Sequence, residues 1–133
     1  MHDLHIEDFC KDAAKTMVML YKRFPVKTTL YVEDISGPDT PDEFGLHCPR
    51  FNACFSAFIW LAENNYLSYS QTIRQEAVEE AVLSHKAFTY FTSKSDHSLK
   101  TRIVELNDTL LNETSETLKN LMLQHLLETK DNR

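Results

Sequence analysis

The chain of 133 residues contains little glycine, with only Gly37 and Gly45. Glycine-rich phosphate loops need several glycines at fixed spacing, so that class of nucleotide site is excluded. A turn-rich β-sandwich is disfavoured for the same reason. The longest apolar run without a charge falls within residues 51–62, whereas a membrane-spanning helix needs about 20 apolar residues. We therefore expect a single domain without a membrane-spanning segment.

The sequence also has no basic block. Fourteen Lys and Arg face twenty Asp and Glu, which gives a formal net charge of −6. Residues 50–94 carry equal numbers of both signs and are the least acidic part, while nucleic-acid binding usually shows a basic patch. The acidic N-terminal segment lacks the apolar stretch of a signal peptide. Three cysteines, an odd number, indicate reduced thiols, so we expect a cytoplasmic protein.

No catalytic or metal-binding pattern stands out. Cys48 and Cys54 are separated by five residues, whereas zinc knuckles commonly place two to four residues between their cysteines. A cysteine and a histidine can form a nucleophilic pair, but no spacing singles one out. We expect no catalytic residues, no metal and no cofactor, and therefore no enzymatic activity.

The first third of the chain shows one helix and one strand. Residues 6–23 repeat apolar side chains at spacings of three and four, which predicts an amphipathic helix ending at Phe24-Pro25. Residues 28–32 are β-branched and partly alternating, as in a short strand. An acidic, proline-containing loop follows. Two alternatives stay open after it: Asp42 caps a short helix, or the loop continues to Pro49.

Residues 50–64 predict a second long helix, because Pro49 suits a first turn and Asn65 suits a position that tolerates positive φ. Its predicted solvent side comprises Arg50, Asn52, Ala53, Ser56, Ala57, Trp60 and Glu63. The stretch "YLSYSQTI" alternates like a strand. The following "RQEAVEEAVLS" is a loop plus a strand, or a helical turn. Ser84 is the predicted N-cap of a short helix.

Two segments carry a resemblance to a known fold. "FxAFIWLAENNYL" looks like the end of a recognition helix followed by a first wing strand, and "AVLSHKAFTYF" looks like a second wing strand entering the last helix. With the element order helix, strand, helix, helix, wing, helix, the chain resembles winged helix-turn-helix domains of small bacterial transcription regulators. Asn65 and Ala87 stand where that family often has glycine. The expected fold is mainly helical α+β: a winged-helix domain over residues 1–94 and a helical C-terminal extension over residues 95–133.

The resemblance implies a DNA-binding transcriptional regulator, with residues 50–63 in the major groove of double-stranded DNA and the wing on the backbone. The candidate DNA-binding residues are Arg50, Asn52, Ser56, Ser68, Ser70, Gln71 and Arg74. Arg and Asn make bidentate contacts with guanine and adenine edges. The alternative function is a winged-helix module that binds a protein partner and no DNA. It is motivated by the net charge and by five acidic residues without a basic one between Glu33 and Glu43.

Residues 95–133 contain no aromatic residue, glycine or proline. One apolar face comprises Leu99, Ile103, Leu106 and Leu110, and a second stripe comprises Leu118, Leu121, Met122, His125 and Leu126. These are two helices, or one long helix bent near Asn112. Because an apolar stripe must cover apolar surface, it packs on the N-terminal helix of its own chain or on a second copy. The resemblance favours a homodimer through terminal helices, and we expect His125 in a core or interface.

Overall fold

The computed structural model describes residues 3–130, which are mainly helical with one small antiparallel sheet, and this confirms the expected α+β class. The elements, in chain order, are α1 Leu4–Arg23, β1 Thr28–Tyr31, α2 Val32–Ser36, α3 Pro49–Glu63, β2 Leu67–Ser68, β3 Gln71–Ile73, β4 Ala77–Leu83, α4 His85–Thr92, α5 Arg102–Asn112 and α6 Ser115–Lys130. Among these residues, no helix has both the length and the apolar character that crossing a membrane requires.

Strand β4 organises the sheet, because each of the other three strands pairs with it. It runs antiparallel to β1 with Val78 opposite Leu30, and antiparallel to β3 with Val78 opposite Thr72. Strand β2 pairs with the end of β4, where Leu67 lies opposite Leu83. Leu30 and Val78 are completely buried, so the β1–β4 pairing lies at the centre of the core.

The turns on either side of the hairpin follow the sequence signals. Helix α3 begins at Pro49 and ends at Glu63. Asn65 adopts a φ of 64°, a left-handed conformation that asparagine tolerates better than most residues. The Ser84 hydroxyl accepts a hydrogen bond from the Ala87 N–H at 3.0 Å, which confirms the predicted N-cap of α4. These signals fix where the chain leaves α3 and where it enters α4.

The loop before α3 continues to Pro49, as one of the two alternatives held, but a short second helix that neither alternative included lies before it. This helix comprises Val32–Ser36, directly after β1, and the loop that follows continues to Cys48 without a helix at Asp42. Val32 and Ile35 are both buried, and their spacing of three residues places them on one face of a helical turn. The strand-like composition of residues 28–32 concealed this short helical pattern.

The C-terminal part forms two helices, α5 and α6, and both pack against α1 of the same chain. Leu106 and Met122 share one hydrophobic core with Met17, which is the intramolecular alternative named above. Leu99 was placed wrongly on the face of α5, since it precedes that helix and is 90% exposed. His125 is buried, as predicted. A homodimer through the terminal helices stays a prediction.

Candidate functional site

Arg50, one of two cations among the candidate DNA-binding residues, is bound by carboxylates of α1. Its two terminal nitrogens donate to the two oxygens of Asp12 at 2.6 and 2.7 Å, and its Nε lies 3.6 Å from Asp8. The Asp12 side chain is 1% exposed and the Arg50 side chain 33%. The hydrogen bond to Asp12 raises the pKa of Arg50 above its ordinary value. The guanidinium therefore links α3 to α1, with its donors directed at Asp12.

Asn52 and Arg74 are brought together at a hollow of about 420 Å³, which Leu46, His47 and Glu76 also line. The Asn52 side-chain amide donates to the backbone oxygen of His47 at 3.1 Å. Arg74 is exposed in the β3–β4 turn with a φ of 51°. Two candidate residues thus share one place, and the Glu76 carboxylate lies there with them.

His47 ties the acidic loop to the hairpin. Its Nδ1 lies 2.9 Å from Asp39 Oδ2 and its Nε2 lies 2.9 Å from Glu76 Oε2, while its ring stacks on Phe51 at a centroid distance of 3.9 Å. Ionised carboxylates only accept hydrogen bonds, so both contacts are satisfied when the ring is an imidazolium. The bonds to Glu76 and then Asp39 raise the pKa of His47. The backbone N–H of Cys48 and then His47 lower the pKa of Asp39.

Three further polar candidates lie on or next to β2 and β3. Ser68 is exposed on β2. The Ser70 hydroxyl donates to the backbone oxygen of Glu79 at 3.3 Å, and the Gln71 side chain donates to the Glu79 carboxylate at 2.7 Å. Ser70 and Gln71 are thus both hydrogen-bonded to Glu79 of β4.

Ser56 lies on the floor of an apolar groove. Helix α3 supplies the floor with three small residues, Ala53, Ser56 and Ala57. Ala57 was predicted to face solvent, and this was wrong: the residue is 3% exposed, since helices α1 and α6 flank this side of α3. Part of the side of α3 that would read DNA, from Ala53 to Trp60, therefore lines a groove that α1 and α6 share.

The walls of this groove are aromatic and aliphatic. The wall residues are Ile6 and Phe9 of α1, Trp60 of α3, and Leu123, Leu126 and Leu127 of α6. Phe9 meets the Trp60 indole edge to face at 5.2 Å, and Trp60 stacks on Tyr66 at 6.1 Å. The groove has a volume of about 800 Å³ and opens to solvent, because Leu127 is 69% exposed and Trp60 38%.

The sequence carried a weak signal for the groove. Leu123 and Leu127 lie outside the predicted apolar stripe of α6, so this helix has apolar residues on more than one side. Residues 53, 56 and 57 are small and recur at helical spacing. Neither observation shows that the three helices converge, which depends on how α6 packs on α1.

A buried polar cluster joins α4 to α6. The Tyr90 hydroxyl lies 2.7 Å from His125 Nδ1 and donates to Glu128 at 2.9 Å. A hydroxyl carries one proton, so His125 Nδ1 holds a proton that it donates to Tyr90, and Nε2 is unprotonated. Nε2 is buried without a hydrogen-bond partner among the described residues. Burial lowers the pKa of His125 to about 4, which makes it a neutral core histidine.

The thiols and acidic groups of residues 3–130 form no metal-binding cluster of three or more ligands. Burial raises the pKa of Cys10 to about 11 and that of Cys54 to about 12. Both thiols are therefore protonated and weakly nucleophilic at neutral pH. Cys48 is exposed.

No protein-family model matches the chain, and neither curated proteins nor solved structures give a match to it.

Proposed function

We propose that the chain is a protein-interaction module of winged-helix shape, whose groove between α1, α3 and α6 binds an amphipathic helix of a partner protein. The observation that carries the proposal is the apolar groove of about 800 Å³ along the solvent side of α3. Helix-in-groove recognition lays the apolar face of a helix into such a channel, with anchors at positions i, i+3, i+4 and i+7. The small floor residues leave room for those anchors.

The order of the elements supports the winged-helix shape. Helix α1, strand β1 and helices α2 and α3 are followed by the β3–β4 hairpin and helix α4. Apart from the additional short strand β2 before this hairpin, the order is the one that the resemblance implies, which supports taking α3 as the counterpart of a recognition helix.

The distribution of charge favours a protein over DNA as the partner. Affinity for DNA draws on several Lys or Arg side chains that meet phosphates. Arg50 is engaged by Asp12, and Arg74 shares its hollow with Glu76. The groove itself is lined by apolar side chains with only His5 and Ser56 as polar exceptions, which suits an apolar helix face better than a phosphate backbone.

Site-specific photo-crosslinking tests the proposal. Ser56→benzoylphenylalanine places the probe on the groove floor, and Ser68→benzoylphenylalanine places the same probe on an exposed strand position as the matched control. Both proteins are irradiated in a lysate of the native organism, and the crosslinked peptides are identified by mass spectrometry. A second pair of proteins carries the same two probes together with Ala53→Glu, which introduces a charge into the groove.

The expected result is a crosslink from position 56 to an amphipathic helical segment, absent from position 68 and lost with Ala53→Glu. The proposal is overturned if positions 56 and 68 give the same products, or if Ala53→Glu changes nothing. It is also overturned if no partner crosslinks while the wild-type protein shifts duplex DNA at low salt and Arg74→Ala abolishes the shift.

A further inference from the structure

A second groove concentrates positive charge on this acidic chain. It has a volume of about 550 Å³ and lies between α1, α2 and α5. Lys15, Lys22 and Arg23 line it, with Asp34 as the one carboxylate among its lining residues. The net charge of the whole chain is −6, so three cations against one acid make this groove a local exception.

The same groove has an apolar bed. Its apolar lining residues are Val18, Met19, Ile35, Leu110 and Leu111. Leu111 is 71% exposed, whereas Lys15 is anchored by donating to the backbone oxygen of Ile35 at 3.2 Å. An occupant that matches this chemistry has exposed apolar side chains next to carboxylates.

The loop between α2 and α3 of this chain has that chemistry. Phe44 is 78% exposed and Leu46 64%, and the neighbouring Asp42 and Glu43 are exposed acids. The Asp42 side chain accepts hydrogen bonds from the N–H groups of Phe44 at 2.8 Å and Leu46 at 3.0 Å. The two apolar side chains are therefore displayed by an ordered turn, which lowers the entropy lost when they bind.

This loop does not occupy the basic groove of its own chain. Asp39 and His47 fasten it at the hairpin through Glu76, and none of its residues lines the basic groove. Phe44 and Leu46 are also exposed, so no groove of their own chain covers them. A complementary groove and loop on one chain, held apart, can meet only between two molecules.

We infer that the loop segment 42–46 docks into the basic groove of a second copy of this chain. Phe44 and Leu46 cover the apolar bed, while Asp42 and Glu43 face Lys22 and Arg23. The groove uses the C-terminal half of α1, whereas the proposed partner-helix groove uses residues near its N-terminus, so the two surfaces can be tested separately.

The test uses the full-length protein and charge reversal. Sedimentation velocity at rising concentration and low salt measures the mass against the 15.5 kDa of one chain. Variant one carries Lys22→Glu and Arg23→Glu, and variant two carries Glu43→Lys. The matched controls are Lys27→Glu with Lys94→Glu, and Glu63→Lys, which change the same charges at exposed positions that line neither the basic groove nor the hollow beside the loop.

We expect the wild type and both controls to self-associate, and each charge-reversal variant to do so about tenfold more weakly. An equal mixture of the two variants should restore association, because each then offers the complement of the other. Phe44→Ser should abolish association, whereas Leu99→Ser, at another exposed apolar residue, should not. Added salt should weaken the charge contribution.

The inference is overturned if the wild type stays at the mass of one chain at every concentration. It is equally overturned if Phe44→Ser leaves association intact, or if the mixture of reversed variants associates no better than each alone. Circular dichroism of each variant confirms the fold. Crosslinking from position 56 is expected to survive Phe44→Ser, which separates failure here from failure of the partner-helix proposal.

Discussion

Arg50 of α3 donates two parallel hydrogen bonds to Asp12 of α1, at 2.6 and 2.7 Å, and Asp12 is almost completely buried. The planar guanidinium matches both carboxylate oxygens, which is a geometry that lysine cannot reproduce. A side chain that sequence reasoning assigned to a guanine edge thus joins two helices of its own fold.

Arg50→Ala is expected to lower the free energy of unfolding by roughly 3 kcal/mol, because it leaves the buried Asp12 carboxylate without its cation. This is the low end for breaking a buried ion pair, since Arg50 itself is one-third exposed. Chemical denaturation monitored by circular dichroism measures the loss. Arg74→Ala is the matched control and should change stability little.

The double variant Asp12→Leu with Arg50→Met should regain much of that stability, because apolar residues of similar volume often replace a buried ion pair without loss. If Arg50→Ala is as stable as the wild type, the ion pair does not hold the two helices together. Arg50 would then be available to an outside ligand.

The contacts of His47 with Asp39 and Glu76 predict that the attachment of the acidic loop to the hairpin depends on pH. The raised pKa of His47 means that its contribution to stability is complete below its ordinary pKa and is lost as the pH rises through the raised value. Asp39 has the opposite sign: its lowered pKa gives a contribution that is lost as the pH falls through that value. The loop is therefore held best at mildly acidic pH, between the two transitions.

An NMR titration of the His47 ring checks this. We expect its midpoint to lie above that of an ordinary histidine and to fall when Glu76→Gln removes the charged acceptor. Glu79→Gln, which changes a carboxylate of the same hairpin that bonds Gln71 instead, should leave the midpoint unchanged. A midpoint insensitive to Glu76→Gln would show that this hydrogen bond does not set it.

How much the sequence could predict depended on the range of the interactions. Pro49, Asn65 and Ser84 act within a few residues, and the structure confirms the helix and turn that each predicted. Helix α2 was missed because five residues hold barely more than one helical turn, and its first residue, Val32, was assigned to the preceding strand.

The ion pair of Arg50 and the apolar groove could not be predicted from the sequence, because both depend on contacts between residues far apart in the chain. Asp12 and Arg50 are 38 residues apart, and no local pattern distinguishes a cation facing solvent from one facing a buried acid. Leu123 is separated from Ala53 by a still longer stretch of chain. The groove between them exists only because α6 folds back on α1.

Trp60 is the single tryptophan of the chain and lines the partner-helix groove. Phe9→Ala removes the ring that meets its indole edge to face at 5.2 Å, so more water should reach Trp60 and its fluorescence emission should shift to the red. Phe24→Ala is the matched control, because Phe24 stacks on Phe88 instead. A red shift of equal size in both variants would indicate a general loosening of the fold, not a change in the groove.

His125 predicts a loss of stability in acid. Its pKa is lowered to about 4 in the fold and is about 6.5 in an unfolded chain, so the unfolded state binds the proton first as the pH falls. Stability from this residue is complete above about pH 6.5 and decreases towards pH 4 by roughly 3 kcal/mol.

Chemical denaturation at several pH values between 4 and 6.5 measures this loss. The free energy of unfolding should fall more steeply with decreasing pH for the wild type than for His125→Gln. His85→Gln, at an exposed histidine of α4, should keep the wild-type slope. Equal slopes for the wild type and His125→Gln would mean that folding does not change the pKa of His125.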